Sequence, residues 1–381
     1  MLKRKLFLLI GVFLLALNSK TIAEDETVNV GLYYKQSIQQ VKVKIQRGNY
    51  QLFVDGKWVK NLKKHASFQV SRKDSLEVKI AGNLKKGKVI QLKGLDYVNH
   101  FTATTPQNGT VAYDDDLKIT LNNYRLQLVN EVGIENYVSA VVEGEAGYKL
   151  PPEFYKLQAI LSRTYALKNT DRHAHEGFNV CDKVHCQVYH HKCTKASIYE
   201  ATVATNSLVV VDDQLNLINT IFHSNCGGET CNSEDVWNTD LSYLRAVKDS
   251  FCLASSKALW KKEIPTAKLN QYFKGYHAAH DSLQDVYAFC QVNQRWANQK
   301  LHDVKLTKIR KDFALRSTYF YIENNGDTAT IYGRGYGHGV GLCQQGGIEM
   351  ALRGYSYVDI LKHYYQGINI LNQKALMFFR E

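Results

Sequence analysis

No apolar run in the 381-residue chain is long enough to cross a bilayer as a helix. The longest, Leu6 to Leu17, has twelve residues where about 20 are needed, which excludes a polytopic membrane protein. It lies behind the basic start Met1-Leu-Lys-Arg-Lys5 and ahead of the small-residue end of Asn18-Ser-Lys-Thr-Ile-Ala23, and so reads as a signal peptide over residues 1–23. No Cys follows Ala23, so a bacterial lipid anchor is not expected. Proline is scarce, at 4 residues, and there is neither a low-complexity linker nor an internal repeat. With 45% hydrophobic and 22% charged residues, disorder, collagen and coiled coil are excluded as well. Cysteine is absent from the first 180 residues, so that part must hold together by its core alone.

What is present is basic. The net charge of +12 becomes +8 once residues 1–23, which carry four basic residues and no acid, are removed. Such a charge draws polyanions by long-range attraction. For an exported chain an anionic cell wall or envelope is a more natural partner than nucleic acid; a solvated basic surface that only aids solubility is the plain alternative. Of the eight cysteines, Cys181, Cys186, Cys193, Cys226, Cys231, Cys252 and Cys290 cluster and Cys343 stands apart. An oxidising compartment favours disulfides, and about 105 pairings are open.

From Val28 to about Asn130, short runs of Val, Ile, Leu and Tyr alternate with polar residues, as in Val41-Lys-Val-Lys-Ile45 and Leu117-Lys-Ile-Thr-Leu121. That is the period of half-buried strands, and Val54-Asp-Gly-Lys-Trp58 is a hairpin signal. The texture changes near Glu135. Pro151-Pro152 opens a segment whose Phe154, Leu157, Leu161 and Tyr165 recur three or four apart, which predicts a helix from about Glu153 to Asn169. The tail from Ile348 to Gly367 predicts two short helices, with Ser356 as an N-cap, Asp359 three residues on, and Gly367 as a stop. The fold class is therefore α+β: a signal peptide (1–23), a β-rich N-terminal region (24–130) and a mixed core (131–371) with a smaller inserted or appended region.

Four segments carry candidate chemistry. In Val141-Val-Glu-Gly-Glu-Ala146, an acid set after an apolar run can sit in a partly apolar cleft that keeps it protonated near neutral pH, as a general acid needs; surface acids flanking a helix are the alternative. Gly333 to Gly347 holds seven glycines in fifteen residues. It lacks a Gly-Lys-Ser/Thr ending and any Gly-x-Gly-x-x-Gly register, so phosphate cradling is not expected. Its Arg334, Tyr336, His338 and Gln344 are suited to contact a polar polymer, or the segment is simply a tightly packed glycine strand. From His173 to Cys193, four His and three Cys side chains besides His173 offer enough donors for zinc. No Cys-x-x-Cys pair is present, and a small Cys181–Cys186 disulfide explains the loop more readily than metal does. Phe222-His-Ser-Asn-Cys-Gly-Gly-Glu-Thr-Cys231 places Ser224 beside His223, but without a Gly-x-Ser-x-Gly elbow this is no hydrolase triad. Trp237 and Tyr243 are candidates for stacking on sugar rings or for core packing.

Together the segments resemble the stage II sporulation protein D family (SpoIID/LytB domain). The resemblance rests on Glu135-Asn-Tyr-Val-Ser-Ala-Val-Val-Glu-Gly-Glu145, Lys156-Leu-Gln-Ala-Ile-Leu-Ser-Arg-Thr-Tyr-Ala-Leu167, Cys181-Asp-Lys-Val-His-Cys-Gln-Val-Tyr189, His223-Ser-Asn-Cys-Gly-Gly-Glu-Thr230 and Gly333-Arg-Gly-Tyr-Gly-His-Gly-Val-Gly341, and covers about residues 28 to 371. It implies an exported lytic transglycosylase acting on peptidoglycan glycan strands, stripped of stem peptides in the sporulation members. The alternative it carries is a glycan-binding enhancer of a cell-wall amidase. The family's catalytic glutamate falls on Glu145 and its important arginine on Arg163; Arg163, Lys248, His338 and Gln344 are the candidate glycan contacts. Where family members bind metal, the site maps to Cys181, His185 and Cys186; no cofactor is otherwise required. The proline expected after the glutamate is absent, Ala146-Gly147 standing there, and Cys343 and Gln345 replace the usual serine and aromatic residue.

Overall fold

In the strand Gln40–Arg47 the side chains of Val41, Val43 and Ile45 are buried while Lys42 and Lys44 are exposed, the alternation of a strand with one wet face. The same pattern builds two antiparallel sheets from the N-terminal residues. One runs in the order Thr27–Leu32, Arg125–Gly133, Asp116–Asn122, Val89–Gly94, Tyr50–Val54, Lys57–Leu62; the other runs Gly109–Asp114, His100–Thr105, Gln40–Arg47, Ser67–Arg72, Leu76–Ile80, Asn83–Gly87. The predicted hairpin joins Tyr50–Val54 to Lys57–Leu62 through Asp55 and Gly56, both at positive φ (50° and 74°), as a tight turn of this hand requires. This is a computed structural model that describes residues 26–73, 75–276, 283–291, 295 and 300–378; the signal peptide read at residues 1–23 lies outside the described residues.

Helix α1 (Ile134–Ala146) follows the last of these strands, then α2 (Pro152–Lys168) and α3 (Ala196–Ala204). The two sheets, α1 and α3 share one hydrophobic core, reached from α2 by Tyr155, Ala159 and Ala166. The other face of α2, carrying Phe154, Leu157, Ile160 and Leu161, belongs to a second core with Val210, Leu244, Leu342, Met350 and Tyr364. Because α2 is apolar on two faces, it is the wall between both cores, and a short strand, Val180–Cys181, extends the first sheet by pairing in parallel with Thr27–Leu32. The fold is α+β with a β-rich N-terminal region.

The smaller region is an insertion with its own core. Strands Leu259–Pro265, Thr328–Arg334 and Tyr319–Asn325 pair antiparallel, and Trp260, Phe273, Phe320 and Ile331 are among the residues buried between them and the helices Thr266–Lys274 and Leu306–Asp312. Its two ends meet where Leu259 pairs with Arg334. Next comes the glycine-rich segment, whose Leu342–Cys343 pairs in parallel with Phe222–His223.

The tail helices are Gln344–Leu352 and Tyr357–Tyr364. The second has the expected capping box, Ser356 and Asp359 bonding each other's backbone N–H, and ends at Tyr364, before Gly367. The first begins four residues earlier than predicted, inside the glycine run. Cys343 caps it by accepting from the Gly346 N–H, and a Cβ on Gly346 would lie 2.1 Å from the Tyr364 hydroxyl, so glycine here serves close packing within a helix.

Candidate active site

The acidic motif is helical. Ile134, Tyr137, Val138, Val141 and Val142 are buried along one face of α1, at the i, i+3, i+4, i+7, i+8 spacing of an amphipathic helix, and Glu143 and Glu145 fall in its last turn. The segment from Cys186 to Thr194 wraps this end. The Val188 N–H donates to Glu145 Oε1 at 2.9 Å, and the Thr194 N–H and hydroxyl both donate to the Glu143 carboxylate at 2.6 Å. Gly144 makes this approach possible, because a Cβ there would lie 2.7 Å from the Val188 carbonyl oxygen. The wrapping segment is itself pinned. The Tyr137 hydroxyl donates to Gln187 (3.0 Å) and the Tyr189 hydroxyl to Asn130 (2.7 Å).

The two acids are driven apart. Burial raises the Glu145 carboxyl above its usual range, and the single Val188 N–H offsets this only in part. At Glu143 burial also pushes upward, but the Thr194 hydrogen bonds outweigh it and the net direction is down. A helix C-terminus further disfavours a carboxylate. Two neighbouring carboxyls shifted in opposite directions, Glu145 toward its protonated form and Glu143 toward its anion, are the arrangement that divides proton donor from fixed charge. Among the described residues the second oxygen of Glu145 takes no hydrogen bond, which leaves it for a proton and a substrate oxygen. Beside Glu143 lies a cavity of about 560 Å3, lined by polar groups of Thr110, His190, Lys192 and Thr194 and by the apolar Val111 and Ala112, the mixed surface that a sugar, with hydroxyl edges and apolar faces, can meet.

The loop leading into this wrap brings His173, Cys181, His185 and Cys186 together, their donor atoms all within 4.8 Å of one another. Cys186 Sγ lies 3.4 Å from His173 Nε2 and 3.6 Å from His185 Nδ1, and Cys181 Sγ lies 3.8 Å from His185 Nδ1. These separations match the edges of a tetrahedron with Zn–S near 2.3 Å and Zn–N near 2.0–2.1 Å. The second nitrogen of His173 meets the Glu176 carboxylate at 2.6 Å, the outer partner that orients ligating histidines. Both cysteines are free thiols, and their sulfurs face each other as well as the two imidazoles, so the Cys181–Cys186 ring expected from the sequence stands beside metal as the alternative use of this loop. The donor set fits zinc, and it takes His173 from the wider His/Cys loop to join Cys181, His185 and Cys186.

The other candidates lie elsewhere. Arg163 is fully buried. Its guanidinium forms a bidentate pair with Glu135 and donates to the carbonyls of Leu208 (3.0 Å) and Thr202 (3.4 Å). It ties α2 to the first turn of α1 and the end of α3, and in this arrangement presents no surface to a glycan. Lys248 is exposed and paired with Glu229 at 2.9 Å. His338 has both ring nitrogens committed: Nε2 donates to the Phe222 carbonyl (3.0 Å) and Nδ1 accepts from the Val340 N–H (3.1 Å). Its ring sits 5.0 Å from that of Trp237, which is exposed, whereas Tyr243 is buried. Gln344 is half-buried at the start of its helix. None of the four is hydrogen-bonded or ion-paired to Glu145 among the described residues. Thr194 and Val188 were not singled out in the sequence, since nothing in their residue types marks a segment that folds back onto a helix end.

The profile of a family described as Stage II sporulation protein matches residues 122–211, from the strand before α1 to the strand after α3. Stage II sporulation protein D of Bacillus amyloliquefaciens is 31% identical over 64% of this chain and 75% of its own length. The protein of the same name from Bacillus subtilis is 31% identical over 66% of this chain and 78% of its own. An amidase enhancer of Bacillus subtilis is 26% identical over 61% of this chain and 40% of its own length.

Proposed function

The chain belongs to the stage II sporulation protein D family, and from that premise we infer that it acts on the cell wall as an exported peptidoglycan lytic transglycosylase with Glu145 as its one acid/base. The observation that carries this reading is the raised, half-buried Glu145 beside a Glu143 whose charge is already occupied by Thr194. Glu145 donates its proton to the glycosidic oxygen as the bond to the anomeric carbon breaks. The 6-hydroxyl of the same sugar then bonds to that carbon and returns its proton to Glu145, leaving a 1,6-anhydro end. No second carboxylate is needed, in contrast with hydrolytic glycosidases, and Glu143 holds the wrapping segment instead.

Zinc at His173, Cys181, His185 and Cys186 would be structural, fixing the loop that supplies the Val188 N–H. The basic net charge of the chain favours approach to an anionic wall.

The test is mass spectrometry of products from intact and amidase-treated peptidoglycan, incubated with the wild type and with Glu145→Gln. Anhydro-muramic ends from the wild type alone support the reading, and the preferred substrate tells whether stem peptides must be removed. The likeness to the amidase enhancer supports a second reading, a glycan-binding stimulator of a wall amidase. No cleavage of either substrate, with glycan binding retained, favours that one.

A further inference from the structure

A second cluster of donors lies in the other core. Cys226, Asp249, Cys252 and Cys343 are all buried, and their sulfur and carboxylate atoms lie within 4.8 Å of one another. Cys226 Sγ is 3.2 Å from Asp249 Oδ2 and 3.4 Å from Cys252 Sγ. We propose that these four side chains bind a zinc ion that clamps the glycine-rich segment onto the Cys226–Cys252 region.

Three observations carry the proposal. Four donors from three separate stretches converge, and their spacing is that of ligands about 2.0–2.3 Å from a common centre. The Cys343 sulfur accepts two backbone N–H groups, from Cys226 at 3.3 Å and Gly346 at 3.4 Å, and it caps the nine-residue helix Gln344–Leu352; both features favour a thiolate against the burial that pushes this thiol up, and a bound cation would supply the rest. The fully buried Asp249 has no cationic partner among the described residues. Its Oδ1 takes the N–H groups of Phe251 and Cys252, and the Tyr364 hydroxyl donates to Oδ2 at 2.9 Å, an outer shell that aims Oδ2 at the sulfurs. A buried anion without a counter-charge is costly, and a divalent cation supplies it. Gly346 is part of the device, because a Cβ there would lie 2.4 Å from Asp249 Oδ2. Three thiolates and a carboxylate carry the same formal charge as four cysteines, a common zinc set. Binding changes no oxidation state; the thiol protons leave to solvent. The competing arrangement is a Cys226–Cys252 disulfide, which would leave Asp249 and Cys343 unmatched.

The test uses the full mature chain purified with zinc present and no chelator. In Cys181→Ser/Cys186→Ser, which disables the first cluster, elemental analysis should still find one zinc per chain, and adding Cys252→Ser should remove it. Should those variants fail to fold, alkylation and peptide mapping of the wild type decide: Cys226, Cys252 and Cys343 should be protected together and become reactive together on chelation. No zinc in the double variant, a mapped Cys226–Cys252 disulfide in the wild type, or metal-dependent protection confined to Cys181 and Cys186 overturns the proposal.

Discussion

The Val188 amide reaches Glu145 Oε1 at 2.9 Å across Gly144, where a Cβ would stand 2.7 Å from the Val188 carbonyl oxygen. The helix end and the wrapping segment are thus a single fitted unit, and Gly144→Ala breaks the fit without altering a charge. The nearest obstacle is backbone, so the segment must move; overpacking of this kind destabilises by about 1–3 kcal/mol. Misplacing an acid by about 1 Å can lower the rate about 100-fold. The expected outcome is a folded protein with a modestly lower melting temperature and a much larger loss of glycan cleavage, read by circular dichroism and product analysis on the same preparation.

Glu145 should also make stability depend on pH. Its folded-state pKa is raised by burial from an ordinary value of 4.5, so the group favours the fold below pH 4.5 and that contribution is lost as pH rises through the folded value. Glu145→Gln removes the titration. The variant should therefore melt above the wild type at neutral pH, with the difference shrinking at acid pH, while cleavage falls by about 100-fold or more. Thermal melts of both proteins across that range check this; an unchanged difference in melting temperature would count against a Glu145 carboxyl raised by burial.

Much of this was legible in the residues. Alternation such as Val41-Lys-Val-Lys-Ile45 marked the strands, and Pro151-Pro152 with Phe154, Leu157 and Leu161 marked α2, because these signals are local. The helical state of α1 was masked: Val138, Val141 and Val142 are β-branched, and the run reads equally well as a buried strand until its packing is known. The start of the helix Gln344–Leu352 was hidden for a related reason, since Gly346 and Gly347 lower helix propensity but are required by the nearness of Tyr364, Asp249 and Leu342. Donor clusters were harder still. His173, Cys181, His185 and Cys186 are near in sequence and drew notice, whereas Cys226, Asp249, Cys252 and Cys343 meet only through the tertiary fold.

Arg163 provides a test of structure against substrate contact. Its guanidinium is buried and paired with Glu135 through two hydrogen bonds, and removing one partner of such a pair typically destabilises by about 3–5 kcal/mol. Arg163→Ala should fold poorly. Arg163→Lys, which keeps the charge but loses the fork, should lower the melting temperature while leaving the KM of the remaining folded enzyme unchanged. A raised KM with normal stability would instead return Arg163 to the glycan.

His338 should make the glycine-rich segment sensitive to acid. Burial holds its pKa down at about 4, against the pull of the Phe222 carbonyl bond and with help from Arg310 and Arg295. The neighbouring His223, whose Nδ1–H donates to the Val340 carbonyl at 3.1 Å, is held lower by burial too. For a depressed histidine the stabilising contribution is present above the unfolded value of 6.5 and is lost as pH falls through the folded one. Protonating His338 Nδ1 would also break its acceptance of the Val340 N–H. Hydrogen-exchange protection factors, taken relative to the intrinsic rate at each pH, should therefore fall around residues 338–343 between pH 6.5 and about 4, before those of the N-terminal sheets do. In His338→Gln, part of that acid response should disappear and protection near neutral pH should fall; protection factors that are independent of pH in both proteins would mean that neither ring braces the segment.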